Sequence, residues 1–350
     1  MSYNLDHQDL LRRIGFNSLV ARARESRAST PGTLARVVEH SRATSLIHTG
    51  VESHVARSLP ALSRLESIVV GDWVIAVCGT NGEWWICDRL TPYTEFQRID
   101  PSGNRQVLVS NVDSAFLVMG LDGDFSVRRL ERYLALTKSA GALPVVVLTK
   151  ADLCADVDMH VGLLAERLPS SIERHAVNAT DPMALDCLVA HLGPGQTAVL
   201  LGSSGAGKST LTNTLTQSFA RETGAVRTSD SRGRHTTTSR HLCPLPWGGC
   251  LIDTPGLRGL RLDIDKLALD AAFDDIAALA EACRFRDCAH NNEPGCAVRA
   301  GVTADRLTNY QKLCREIARD RSDPVARRTT KAEVKMRQRA LRAMQKERGR

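Results

Sequence analysis

Gly202-Ser203-Ser204-Gly205-Ala206-Gly207-Lys208-Ser209 matches G-x-x-x-x-G-K-[ST], and its flanks decide the fold of this 350-residue chain. Ahead of it, Thr197-Ala198-Val199-Leu200-Leu201 reads as a buried strand; behind it, Lys208 to Phe219 reads as a helix. Strand, glycine-rich loop and helix in that order make a phosphate cradle, because the glycines turn backbone N–H groups inward and the helix N-terminus adds its dipole. On this reading Gly202 to Ser209 and Thr210 surround the phosphates, Lys208 neutralises the β- and γ-oxygens, and the Ser209 hydroxyl ligates Mg²⁺.

The loop alone leaves the base open, since GSSGAGKSTL suits an ATP-binding cassette protein equally well. Two further segments decide. Asp253-Thr254-Pro255-Gly256 follows the strand run Gly249 to Ile252 and has the form D-x-x-G; its carboxylate reaches Mg²⁺ through water, and the Gly256 N–H faces the γ-phosphate. Thr149-Lys150-Ala151-Asp152 closes the strand Pro144 to Leu148 in the form [NT]-K-x-D. A carboxylate at Asp152 accepts both the ring N–H and the exocyclic amine of guanine, whereas adenine leaves that charge unsatisfied. No LSGGQ-like segment accompanies the phosphate loop, so the expected ligand is GTP with Mg²⁺ and the expected products are GDP and phosphate.

Farther out, strands alternate with helical patterns from about residue 111. Ser114 to Met119 reads as a strand, and Val127 to Ala140 as a helix with Leu130, Tyr133, Leu134 and Thr137 on one face. Further units follow over Met159–Leu168, Glu173–Asn178 and Pro182–Leu192. That alternation implies a doubly wound, mostly parallel sheet. Before it, residues 33 to 105 are made of short strand runs, with the hairpin turn Gly79-Thr80-Asn81-Gly82 between Trp73–Cys78 and Glu83–Arg89, as in a small barrel. Trp73, Trp84 and Trp85 suit either its core or an RNA-facing surface. Residues 1 to 32 read as an extension with one short apolar stretch.

After the sheet, Cys283, Cys288, His290 and Cys296 give C-x4-C-x-H-x5-C in a polar, turn-rich segment. Three thiolates and one imidazole complete a tetrahedral zinc set with no open position, so one structural Zn²⁺ is expected. The other seven cysteines lack ligand spacing and read as small core residues. Thr303 to Ile317 carries Leu307, Tyr310, Leu313 and Ile317 on one helical face.

The net charge of +7 is a tail: residues 319 to 350 hold twelve basic and four acidic side chains, and the rest of the chain is nearly neutral. Such a tail can lie along a phosphate backbone. No apolar run approaches the ~20 residues of a membrane span, and the start MSYNLDHQDLLRR has no apolar signal region, so a cytoplasmic protein with no membrane partner is expected.

The guanine motif precedes the phosphate loop by about 50 residues, the reverse of the usual order, with Val177-Asn178-Ala179-Thr180 between them in the position of a base-contacting loop. Ligands bind at the carboxyl ends of strands whatever the chain order, so a circularly permuted chain assembles the same site. This order, with Asn111-Val112-Asp113, TKAD, GSSGAGKST, Gly233-Arg234-His235-Thr236-Thr237-Thr238, DTPG and the Cys/His spacing, resembles the ribosome small subunit-dependent GTPase A family over roughly residues 33 to 318. Thr149 stands where the family more often has Asn, and Asn178 where Ser is commoner.

The resemblance implies an oligonucleotide-binding (OB) barrel at 33–105, a circularly permuted P-loop GTPase domain at 106–262, a helical zinc-binding domain at 263–320 and a basic tail at 321–350. It implies action on the small ribosomal subunit and its rRNA during late maturation, with hydrolysis stimulated by the subunit, by a chain expected to be monomeric. It also makes His235 the candidate for positioning the attacking water, since Leu257 after Gly256 cannot; Thr237 is carried as the hydroxyl that closes over Mg²⁺, from among Thr236 to Thr238. The alternative is a zinc-containing nucleic-acid-binding protein in which GTP sets conformation without significant turnover.

Overall fold

The computed structural model describes residues 7–41, 43–60, 62, 67–100, 104–217, 240–254, 261–262 and 264–321. His235, Thr237, Gly256 and most of the basic tail lie outside the described residues.

Five short strands, β1 (Thr33–His40), β2 (Ser45–His48), β3 (Ser53–Ser58), β4 (Trp73–Cys78) and β5 (Trp84–Arg89), follow the order β1-β2-β3-β5-β4, and β1 returns to pair with β4. The sheet is thereby closed, with β3 and β5 as its parallel pair, which is the topology of an OB barrel. Period-two alternation turns Ala35, Val37, Ile47, Ala56, Val74, Ala76 and Ile86 inward to fill it. Trp84 stacks on His54 at 4.3 Å on the wall, and Trp73 is buried edge-on to Phe16, outside the barrel's own cluster. A ribbon of β6 (Glu95–Ile99) and β7 (Arg105–Ser110) leads out of the barrel. The expected 105/106 boundary falls on its second strand.

The central sheet contains β8 (Ser114–Gly120), β9 (Leu143–Thr149), β10 (Glu173–Ala176), β11 (Thr197–Gly202), β12 (His241–Pro244) and β13 (Cys250–Asp253). Its order is β10-β9-β8-β11-β13-β12, parallel except for β12. β8 is buried along its whole length, and its alternate residues feed two cores: Ala115, Leu117 and Met119 on one face, Phe116 and Val118 on the other. Helix α3 (Val127–Ala140) covers the first face with Leu130, Tyr133, Leu134 and Thr137, the four residues its spacing selects. The apolar pattern over 182–192 yields a shorter helix than expected, a 3₁₀ turn at Met183–Leu185 followed by α5 (Asp186–Val189). Among the described residues, the other α-helices of the domain are α4 (Val157–Arg167) and α6 (Lys208–Gln217).

Residues 7 to 25 form two helices, α1 (His7–Arg12) and α2 (Ser18–Glu25), where one was expected, and both are docked: Leu11, Ile14 and Val20 are buried. Gly15 breaks them apart at φ +91, and a Cβ there would sit 1.8 Å from the Arg36 guanidinium. Arg36, fully buried on β1, donates to the Ile14 carbonyl (2.6 Å), the Thr197 hydroxyl (2.7 Å), the Asn111 carbonyl (2.8 Å) and the Gly71 carbonyl (3.3 Å). It thus joins the N-terminal helices, the barrel, the start of the central domain and the phosphate-loop strand. β1 also meets β12 through Glu39 and His241, so barrel and central sheet are continuous.

After the sheet, the two-residue strand β14 (Arg261–Leu262) pairs with β6. Helices α7 (Lys266–Ala272), α8 (Asp274–Ala280), α9 (Ala297–Gly301) and α10 (Ala304–Arg321) follow. They dock through Arg306, which donates to Glu131 of α3 (2.8 Å) and to both oxygens of Asp275 (2.6 Å each), while Arg167 of α4 donates to the same Glu131 (2.9 Å). Replacing Arg36 with Met is expected to destabilise the protein by about 3–5 kcal/mol, because it orphans buried acceptors on four segments. Chemical denaturation checks this, and Gly15→Ala should lower the midpoint in the same direction.

Candidate nucleotide and metal sites

The sequence motifs meet at the carboxyl ends of the central strands, where β11 lies between β8 and β13 and the order of connection changes direction. The phosphate loop spans from Gly202 to Lys208 at the start of α6, with Gly205 and Gly207 at φ +82 and +89. Gly207 is required twice over: its φ is left-handed, and a Cβ there would lie 3.0 Å from the Thr149 hydroxyl. Ser204, Gly205, Ser209 and Thr210 are exposed, and Ser203 and Ala206 are buried. Lys208 is buried and folds back over the loop, its ammonium donating to the Gly202 (3.0 Å) and Ser203 (2.7 Å) carbonyls.

Thr149, fully buried at the end of β9, donates its hydroxyl to the Ala206 carbonyl at 2.7 Å and so binds the [NT]-K-x-D segment directly to the phosphate loop. Lys150 takes the left-handed conformation at φ +61, and Ala151-Asp152 begin a 3₁₀ turn that leaves Asp152 exposed. The Ala151 N–H donates to the Val177 carbonyl (3.3 Å), and the Val177 N–H donates to the Leu148 carbonyl (2.8 Å), which sets the Asn178-Ala179 loop beside it. Asn178 accepts from the Thr180 N–H (3.0 Å) and hydroxyl (2.7 Å) in a local turn, and Thr214 of α6 donates to the Ala179 carbonyl (2.7 Å). The phosphate loop and the Asn178-Ala179 loop are thus each bonded to the segment between them in the fold, Thr149 to Asp152, and the second is bonded also to α6.

Asp253 ends β13 half-buried; desolvation raises its carboxyl above the usual range, partly offset by the Lys208 charge. The next residue, Thr254, donates to the Leu200 carbonyl at 2.7 Å, fixing this strand end against β11. Ser209 and Asp253 offer the hard oxygen donors that Mg²⁺ takes.

Two carboxylates escaped the sequence reading. Asp122, just beyond β8, pairs with Lys150 at 2.5 Å, and the Lys150 hydrogen bond pulls its carboxyl below the usual range. Asp124 accepts the Ser203 hydroxyl of the phosphate loop and pairs with Arg129 at 2.7 Å. The available signal was position: Leu121-Asp122-Gly123-Asp124 leaves a central strand at its carboxyl end, next to the strand-order reversal.

Cys283, Cys288, His290 and Cys296 bring their sulfurs and one imidazole nitrogen within 4.8 Å of one another. Cys283 and Cys296 sulfurs are 3.9 Å apart and lie 3.7 and 3.6 Å from His290 Nδ1. Zinc bonds of ordinary length give tetrahedron edges of about 3.8 Å between sulfurs and about 3.6 Å from sulfur to nitrogen, so the cluster fits the ion. Backbone N–H groups of Val298 and Ala297 hold the Cys283 thiol below its usual range, and Cys296 caps α9. His290 sits at φ +57, its carbonyl accepting from Gln311 at 2.8 Å. Of the seven other cysteines, Cys250 is fully buried in the core, Cys154, Cys187 and Cys314 are half-buried and packed against a core, Cys87 and Cys243 are half-buried, and Cys78 is exposed.

Among the described residues no helix is long and apolar enough to cross a membrane. A protein-family model described as "RsgA GTPase" matches residues 91–263. The chain is 47% identical over 298 residues to the "Small ribosomal subunit biogenesis GTPase RsgA" of Xanthomonas axonopodis pv. citri (strain 306), covering 81% of this chain and 80% of that protein. The protein of the same name from Xanthomonas oryzae pv. oryzae (strain MAFF 311018) is 46% identical with the same coverage. Two solved structures share the fold: YjeQ from Thermotoga maritima, at TM-score 0.62 and 24% identity over 82% of this chain and 98% of that one, and YloQ, a circularly permuted GTPase, at 0.59 and 24% over 83% and 96%. With the barrel, the permuted strand order and the Cys/His cluster in one molecule, and relatives this similar over four-fifths of its length, the chain belongs to the RsgA GTPase family.

Proposed function

We propose that this chain is a small ribosomal subunit biogenesis GTPase that hydrolyses GTP to GDP and phosphate during late subunit maturation, stimulated by the subunit itself. The observation that carries the reading is the Thr149–Ala206 hydrogen bond, which holds a guanine-type loop and a phosphate loop 57 residues apart in one rigid site. As a GTP hydrolase of this family the chain works with Mg²⁺, which neutralises charge on the β- and γ-phosphates. Family membership disfavours the alternative of a zinc-containing nucleic-acid-binding protein without turnover.

On this proposal Asp152 accepts the two guanine N–H donors, and Thr149, Lys150 and Ala151, with Asn178 and Ala179, shape the pocket around the ring. Gly202 to Gly207 and Thr210 surround the phosphates. Lys208, held in place by two carbonyls before nucleotide arrives, swings its ammonium onto the β- and γ-oxygens. Ser209 and Asp253 take the metal, Gly256 the γ-phosphate, while Thr237 closes the site and His235 positions the attacking water. The cysteine cluster holds structural Zn²⁺, and the basic tail and barrel reach rRNA. We place this activity in the cytoplasm and on a monomer.

Addition of purified small subunits should accelerate GTP hydrolysis and leave ATP untouched; no acceleration would refute the reading. His235→Ala should abolish the stimulated turnover while GTP binding is retained, and unchanged turnover would remove His235 from the mechanism. Asp152→Ala should weaken GTP binding by about two orders of magnitude or more, since two hydrogen bonds to a charged acceptor are lost, and equilibrium binding of GTP against ATP measures it. Cys288→Ser should lower the zinc content below one per chain and open the segment from Cys283 to Cys296 to protease, leaving GTP affinity intact.

A further inference from the structure

A second cluster of metal-ligating side chains lies outside the nucleotide site and shares no residue with the Cys/His set. Glu173 and His175 stand on β10, the outermost strand of the central sheet, two positions apart and therefore on one face. His191 reaches them from the connection between α5 and β11, its ring held edge-on against Phe116 at 6.1 Å. Both imidazole Nε2 atoms converge on one oxygen, Glu173 Oε2, at 3.3 Å for His175 and 3.1 Å for His191. The three ligand atoms all lie within 4.8 Å of one another. Bonds of about 2.0–2.1 Å from a tetrahedral ion to nitrogen and oxygen give edges of about 3.3 Å, so the observed spacings leave room for such an ion at their centre.

We propose that Glu173, His175 and His191 form a second site for a divalent transition-metal ion of the zinc or nickel type, with two imidazole nitrogens, one carboxylate oxygen and a position open to water. The donor set selects this class: imidazole favours late first-row ions, and a single carboxylate is too few oxygens for Ca²⁺ or Mg²⁺. The ion would staple the edge strand to the connection ahead of the phosphate-loop strand. β10 runs directly into Val177 and Asn178, and His191 is followed by Leu192, whose carbonyl accepts the Trp247 indole N–H at 2.9 Å. The site therefore lies at the amino ends of β10 and β11, away from the nucleotide loops at their carboxyl ends.

Full-length protein already holding one zinc per chain is titrated with Ni²⁺ by calorimetry, and with Co²⁺ by absorption. The expected result is one further equivalent of metal, with cobalt bands that lack thiolate charge transfer. Binding should weaken by more than about tenfold in His191→Gln and in His175→Gln, since loss of even an outer-sphere partner costs that much. Glu173→Gln alters an exposed side chain and gives a third variant that leaves the buried packing alone; in the wild type, paramagnetic broadening of the His175 and His191 imidazole signals by Ni²⁺ reads the site without any substitution. The proposal is overturned if the wild type takes up no further equivalent, if the variants bind it with unchanged affinity, or if the cobalt spectrum shows thiolate ligation.

Discussion

A guanidinium taken out of water is expensive, and Arg36 is tolerable because four of its five N–H donors find acceptors in four places at once. None of these four acceptors carries a formal charge, and the nearby Asp113, whose carboxyl is raised by burial and held down in part by the Thr197 N–H and the Arg36 charge, supplies the counter-field. Asp113 itself accepts from the Thr197 N–H at 2.7 Å, the Tyr93 hydroxyl at 3.1 Å and the Asn17 amide at 3.3 Å. The barrel, the N-terminal helices and the phosphate-loop strand thus share one polar network. Separating any of them would leave a buried charge or carbonyl unpaired. The position of the barrel relative to the nucleotide loops is therefore set by desolvation, not by apolar contact alone.

A second buried charge plays the same part for the C-terminal helices. Glu131 on α3 is fully buried and is met by Arg167, Arg306 and Asn309, with Arg306 extended to Asp275 and packed over Phe273 at 4.6 Å. Three of these partners come from the central domain's α4 and from α10, so the cysteine-containing helices are keyed to the back of the central sheet. Such pairs are strongly direction-dependent, and they favour one docking geometry where a greasy face would permit several.

Most of what periodicity and turn chemistry encode was legible in the sequence: the helix at Val127–Ala140 and four of its seven buried residues, the strand ahead of the phosphate loop, the hairpin at Gly79–Gly82 and the Cys/His spacing. What escaped has a common cause. Arg36, Glu131 and Arg306 are charged residues in the core, and a charge in a sequence reads as surface until its partners, here up to 178 residues distant, are known. The same holds for Asp122 and Asp124, whose role depends on which loops lie beside the end of β8. The N-terminal helices were read as an extension because Leu11, Ile14 and Val20 are too few to announce a packed face; their burial comes from a surface that the rest of the chain provides. Short elements such as Met183–Leu185 fail for another reason, since the apolar run between Pro182 and Gly193 is divided between a 3₁₀ turn and the one-turn helix α5, which periodicity does not separate.

The permuted order has a consequence for connectivity. Among the described residues the strand that ends at Asp253 is the last of the central sheet, and the chain beyond it pairs with no further central strand. It is held at its start by the Thr254–Leu200 hydrogen bond and caught again where Arg261 and Leu262 pair with Ile99 and Arg98 of the ribbon leaving the barrel. From there it enters α7 and the helices keyed to Glu131. Downstream of Asp253 the chain is therefore tied first to the barrel ribbon and then to the helices that carry the cysteines, whereas an unpermuted order would follow this strand with further strands of the sheet. Permutation thus makes the strand end at Asp253 a covalent link from the central sheet to its flanking elements.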